Sequence, residues 1–220
     1  MRSIACAALA LAAISAPAAH AAAPGRLEFE LLRNGHPDGR HIVEVTQTPA
    51  GFNVSTAVTI RVRVGPLTVF QYEQRCRETW AQDALASLAC ATTKQGRRSE
   101  VAARLADGRM LVTGASGETR FPLAALPTSW WTKPPVFNGA MIDTETGRAM
   151  NVRVTHVGRE TLTIGGERVA ADHVRVQGTL TADLWYDTEG RWIGCTFTAQ
   201  GQRFEYRLVS PRGDGPRGLG

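Results

Sequence analysis

From Phe52 to Val64 the chain alternates: Phe52, Val54, Val58, Ile60, Val62 and Val64 fall on one parity, and Asn53, Ser55, Thr59, Arg61 and Arg63 on the other. A period of two puts successive side chains on opposite faces of an extended strand, so this pattern describes a half-buried strand of an antiparallel sheet. The same reading holds for Leu27, Phe29 and Leu31 against Glu28 and Glu30, and for Phe204, Tyr206 and Leu208 against Arg203, Glu205 and Arg207. Turn residues punctuate the alternation at short intervals, at Asn34-Gly35, Pro49-Ala50-Gly51, Gly65-Pro66, Lys94-Gln95-Gly96, Asp107-Gly108, Gly165-Gly166 and Asp187-Thr188-Glu189-Gly190. Strands joined by such turns make a meander. The expected fold class is therefore all-β: a curved antiparallel meander sheet, a half-barrel or an incompletely closed β-barrel.

Helical periodicity is almost absent. At most one short helix, of a turn or two, fits Pro122 to Leu126, where Pro127 would stop it. The alternation lapses between residues 121 and 148, where Pro122, Pro127, Pro134 and Pro135 accompany the pair Trp130-Trp131. This irregular segment is read as joining two meanders within a single domain, residues 22–209. Glu78-Thr79-Trp80 before Cys90 and Asp183-Leu184-Trp185 before Cys195 share one spacing, which chance explains, since acidic-x-Trp hairpins are ordinary, and which an old duplication of a strand-turn-strand unit would also leave. The Gly-, Pro- and Arg-rich stretch 210–220 is expected to be a disordered tail.

The N-terminus reads as a signal peptide: Arg2, an apolar run from Ile4 to Ile14, then Ala19-His20-Ala21 as a small-x-small cleavage site. The run is about half of the roughly 20 apolar residues a transmembrane helix needs. Cys6 lies inside the run and not at its end, which argues against a lipoprotein. Cleavage after Ala21 predicts a periplasmic, secreted protein of the cell envelope with no transmembrane segment, and about 200 residues are enough for one core. The net charge of +5 is carried by arginines spread among acidic residues, with Lys94 and Lys133 as the only lysines. That is a solvated surface, and nucleic acid is not an expected partner.

Cys76, Cys90 and Cys195 remain after cleavage. Cys76 and Cys90 are symmetric about Asp83, so a hairpin turning near Gln82 to Ala84 sets them opposite each other, within disulfide reach in an oxidising compartment. Cys195 is left over.

Leu126-Pro127-Thr128-Ser129-Trp130-Trp131, then Asp143-Thr144-Glu145-Thr146-Gly147-Arg148, then Leu184-Trp185-Tyr186-Asp187 to Gly190-Arg191-Trp192 resemble an uncharacterised family of exported bacterial proteins, known only as a domain of unknown function. The likeness extends over nearly all of the mature chain, from the strand at Phe29 through Tyr72-Glu73-Gln74-Arg75. More distantly the layout is similar to outer-membrane lipoprotein-carrier half-barrels, which implies an apolar concave face for lipid. The family brings no catalytic residues.

Patterns that carry chemistry are weak here. Gly114-Ala115-Ser116-Gly117 lies in a turn between strands and does not match a nucleophile elbow. His36, Asp38 and His41 flank a surface turn, which accounts for their polarity without a metal. His156 shares a face with Val152 and Val154 and is read as a hydrogen-bonded histidine in or near the core, and Asp172 and His173 are adjacent and point to opposite faces. Gly165-Gly166 has no following helix to hold a phosphate, so no nucleotide cofactor is expected. Asn53-Val54-Ser55 lies inside a strand and is not read as a glycosylation site.

What remains is apolar. The face carrying Val58, Ile60 and Val62 has no amphipathic helix to cover it, and Trp130 and Trp131 are expected to close over a lipid or other apolar ligand bound there. The expected function is thus non-enzymatic, without catalytic residues, cofactor or metal. An assembly module that contacts an envelope protein partner is the alternative, and packing of the tryptophans as a core plug is the plainer role for them. The exported protein should begin at Ala22, and its intact mass checks this.

Overall fold

A computed structural model describes residues 25–209. Residues 1–24, which hold the expected signal peptide and its cleavage site, and residues 210–220, the expected tail, lie outside the described residues. Fourteen strands follow one another: β1 (Gly25–Arg33), β2 (His36–Thr48), β3 (Gly51–Val64), β4 (Leu67–Ala81), β5 (Ala84–Lys94), β6 (Arg97–Ala106), β7 (Arg109–Gly114), β8 (Gly117–Phe121), β9 (Phe137–Ile142), β10 (Ala149–Ile164), β11 (Glu167–Gly178), β12 (Ala182–Asp187), β13 (Trp192–Ala199) and β14 (Gln202–Leu208). All pair antiparallel in one sheet that runs from β8 down to β1, across to β14 and on to β9. The fold is all-β, as the alternation requires, and there is no helix among the described residues.

Two meanders, β1–β8 and β9–β14, meet through the β1–β14 ladder, where Phe29 lies opposite Leu208 and Arg33 opposite Phe204. The tight turns are of the kind that needs left-handed backbone, as at Asn34-Gly35, with φ of 49° and 83°. Rolling the sheet brings the inward parity of every strand into one core that includes Leu27, Phe29, Val54, Val101, Val154 and Leu184. The result is a nearly closed barrel with one seam, where the edge strands β8 and β9 face each other without pairing.

The seam is stitched by residues that are not strand. The 143–148 loop reaches across it: Ala115 N donates to the Thr146 carbonyl at 3.1 Å, Arg148 Nε donates to Ser116 Oγ at 2.7 Å, and Lys94 Nζ to Glu145 Oε1 at 2.9 Å. A Cβ on Gly114 would overlap the Thr146 carbonyl oxygen, so this approach requires glycine. The segment 122–136 fills the rest, with Pro127 bridged to Ile142.

Two open readings are decided and two expectations are corrected. Pro122 to Leu126 forms no helix but a single turn, in which Ala125 N donates to the Pro122 carbonyl at 3.0 Å; the prolines on either side leave no room to propagate. The supposedly irregular stretch 121–148 contains β9, a six-residue strand. The spacing shared by Glu78-Trp80 and Asp183-Trp185 is not a structural duplication, because Glu78 and Trp80 are buried in the barrel whereas Asp183 and Trp185 are turned outward to Arg175 and Glu160. His156 is not a core histidine: the bulge between His156 and Gly158 turns it out, and its side chain is half exposed.

Cys76 and Cys90 are directly opposed on β4 and β5 and form a disulfide, while Cys195 is a buried free thiol. Replacing both bonded cysteines with serine opens a loop of separation 14 and is expected to lower unfolding stability by about 3 kcal/mol. Denaturant titration of the variant measures this.

Candidate functional site

The parity of β4 turns Cys76, Glu78 and Trp80 inward. A carboxyl at such a position must find partners away from water, and Glu78 finds them on the crossing segment. Trp131 Nε1 donates to Glu78 Oε2 at 3.0 Å, and Trp80 Nε1 donates to the same oxygen at 2.7 Å. The two indoles meet edge to face with centroids 5.4 Å apart, a favoured aromatic geometry. From the opposite wall Tyr186 on β12 donates its hydroxyl to the Trp130 carbonyl at 2.9 Å and lies 3.3 Å from that of Thr132. Residues 129–132 are thereby held from both sides, with Trp130 at a φ of 61°.

Burial raises the pKa of Glu78 above the usual carboxylate range, against the pull of the neighbouring Ser129 hydroxyl and of the hydrogen bonds from Trp131 and Trp80. Its second oxygen, Oε1, and Ser129 Oγ are both buried without a geometrically formed bond. A neutral carboxyl with its proton on Oε1 is the form that fits this pocket: it keeps both indole bonds on Oε2 and leaves no uncompensated charge in the core.

Above this centre the crossing segment and the β4–β5 turn enclose an open cleft of about 600 Å³. Leu85, Leu123, Leu126, Pro134 and Pro135 line it, and Trp80 reaches its wall. Leu123 is 44% exposed. The polar groups at the cleft are Gln82, Asp83, Thr132 and Lys133, and Lys133 Nζ is held by Asp172 Oδ2 at 3.0 Å.

The five residues expected to bind a ligand are not brought together. Val58 and Val62 are buried and Ile60 half-buried on the inner face of β3. Trp131, fully buried, packs beside Trp80, which pairs with Phe52 at the other end of the same strand. The six steps from Phe52 to Val58 span roughly 20 Å of strand, so Trp131 does not close over Val58, Ile60 and Val62. Trp131 instead plugs the core.

His41 is also corrected: it is 4% exposed and packed among Phe29, Trp192 and Tyr206, with neither ring nitrogen bonded. Its parity with Val43 and Val45 on β2 placed it inward, and the nearby turn masked that signal. Burial lowers its pKa to about 3. His36 stays exposed and Asp38 pairs with Arg33 at 2.7 Å, so the three do not converge. No cluster of three possible metal ligands occurs among the described residues. His173 sits on the outer face between Asp183 and Glu160, at 2.7 and 3.1 Å, stacked on Trp185. Sequence reasoning missed Glu78, Ser129 and Tyr186; the available signal was an acidic residue on the inward parity between Cys76 and Trp80.

A family model described as a domain of unknown function, DUF6134, matches residues 29–209. The chain belongs to the DUF6134 family. The crystal structure of a beta-barrel-like protein of domain of unknown function DUF1849 from Brucella abortus is similar to this fold, with a TM-score of 0.59 and 12% sequence identity over 88% of this chain and 98% of that one. At that identity the likeness is one of fold. No curated protein matches the sequence. The stretches on which the family resemblance was noted fall largely on the closure: residues 126–131 carry Ser129 and Trp131, 143–148 stitch the seam, and 184–192 supply Tyr186 and the Asp187–Arg191 pair at 2.7 Å.

The two buried titratable groups act on stability with opposite signs. Glu78, raised in the fold, contributes fully below its unfolded pKa of about 4.3 and loses that contribution as pH rises toward its folded value. His41, lowered to about 3, contributes fully above its unfolded pKa of about 6.5 and loses it as pH falls from there. Urea titrations across the pH range should show Glu78→Gln flattening the decline on the alkaline side and His41→Phe flattening it on the acid side.

Proposed function

We propose that this DUF6134 protein is a non-enzymatic binder of a lipid or other apolar small molecule in the cell envelope, and that the cleft beneath the crossing segment is its site. The observation that carries this reading is the lining of the cleft: aliphatic and proline side chains form its walls, and Leu123 stays exposed within it. Covering Leu123 and its neighbours with an apolar ligand gains about 25 cal/mol per Å² removed from water. The charged group best placed to act on a ligand, Lys133, is engaged by Asp172, and the strongest hydrogen-bonding centre nearby, Glu78, is 1% exposed behind Trp80. Such a site is suited to holding a molecule and offers little for converting one. The exported location rests on the signal-like N-terminus.

Protein purified without detergent is expected to carry a small apolar molecule visible by native mass spectrometry, and to bind a fluorescent fatty acid that unlabelled fatty acid displaces. Leu123→Asp together with Leu126→Asp should weaken that binding by about tenfold or more, since each buried aliphatic side chain contributes roughly 1.5 to 3 kcal/mol. Leu123→Asp alone should keep the melting temperature near that of the parent, because Leu123 is exposed whereas Leu126 packs against the core. Equal affinity in parent and variant places the ligand elsewhere.

A further inference from the structure

The hairpin of β3 and β4 is longer than its neighbours. The ladder with β2 stops at Gly39 opposite Ile60, and the ladder with β5 stops at Tyr72 opposite Lys94. From Arg61 to Gln71 the two strands pair only with each other, buttressed at the base by Gln95, whose side chain accepts from Gln71 N at 2.7 Å and donates to the Val69 carbonyl at 3.2 Å. A lone two-stranded ribbon has little stability of its own, and an apolar apex on it is exposed for no benefit to the fold. Three of the large exposed apolar residues cluster on this tip: Val64 at 64%, Leu67 at 68% and Val69 at 48%.

We propose that this tip is a membrane-docking element that inserts Val64, Leu67 and Val69 into the interface of an anionic lipid bilayer. Its shape separates a bilayer from a protein partner. A specific protein interface needs about 800 Å² on each side with close complementarity, which a convex apex of three aliphatic side chains does not offer. A fluid bilayer imposes no such demand and accepts small aliphatic wedges. Charge points the same way. No acidic residue lies between Val62 and Gln71. Arg63 at the tip and Arg97 beside the Gln95 turn are in no ion pair among the described residues, whereas Arg61 and Arg98 are paired with Glu73 and Glu100. Two free guanidinium groups behind an aliphatic apex match phosphate headgroups above acyl chains.

Flotation of the full chain with vesicles of equal parts phosphatidylglycerol and phosphatidylcholine tests this. The parent should float with them, and Val64→Asp with Leu67→Asp should lose about tenfold or more in affinity at unchanged circular dichroism, since the tip lies outside the core. Comparison within one chain keeps any contribution of the N-terminal segment constant. Arg63→Glu with Arg97→Glu should abolish the preference over vesicles of phosphatidylcholine alone, and Leu67→Trp should give an emission that shifts to the blue on adding vesicles. Binding that is absent in the parent or unaltered in the Asp variant overturns the proposal. So does sedimentation showing that the tip residues instead mediate self-association or capture a protein.

Discussion

A sheet with one apolar face and no helix to cover it has only itself to pack against. Fourteen strands answer this by rolling until the inward parities meet, but the two edges still have to be brought together. Here they are closed by side chains and irregular backbone. The crossing segment is tied by Trp131 to Glu78 on one wall and by its backbone carbonyls to Tyr186 on the other. The closure is part of the core: Ala125 and Trp131 of the segment belong to the same buried cluster as Trp80, Met110, Phe121 and Met141.

The closure is polar where the rest of the core is apolar. A buried carboxyl is a costly anchor unless it is neutral and bonded, and the surroundings of Glu78 supply the bonds while withholding any counter-charge. The benefit is geometric: two indole N–H groups converging on one oxygen fix the position of Trp131 more narrowly than aliphatic packing does. His41 is the contrasting case, an imidazole held in an aromatic box without a hydrogen bond: burial keeps it neutral, and its two unbonded ring nitrogens cost about 1 to 3 kcal/mol against the packing of the rings around it.

The family and fold relations bear on this closure more than on chemistry. DUF6134 and the DUF1849 neighbour establish a barrel-like architecture, and an architecture of this kind hosts unrelated functions. Two surfaces lie at the two ends of β4: an apolar cleft beside the 82–83 turn and an aliphatic tip at 64–69. Both leave aliphatic side chains exposed, Leu123 in the cleft and Val64, Leu67 and Val69 on the tip, which is why both are read as functional surfaces.

The sequence by itself determined the local structure. A period of two, interrupted by Asn-Gly, Asp-Gly and Gly-Gly pairs, leaves little choice but antiparallel hairpins, and the symmetric placing of Cys76 and Cys90 about Asp83 sets their register. Pro122 to Leu126 makes only a single turn, because a propensity over five residues carries too little weight against a strap that must thread between sheet edges. Only the tertiary structure decided how the barrel shuts. Glu78, Ser129 and Trp131 are separated by about fifty positions, and Tyr186 by as many again. Alternation says that Glu78 points inward but not what meets it there. Likewise Val58, Ile60 and Val62 share a parity with Phe52, yet which end of that stripe receives the tryptophans depends on where a long irregular segment re-enters the sheet, and that is settled by packing over the whole barrel.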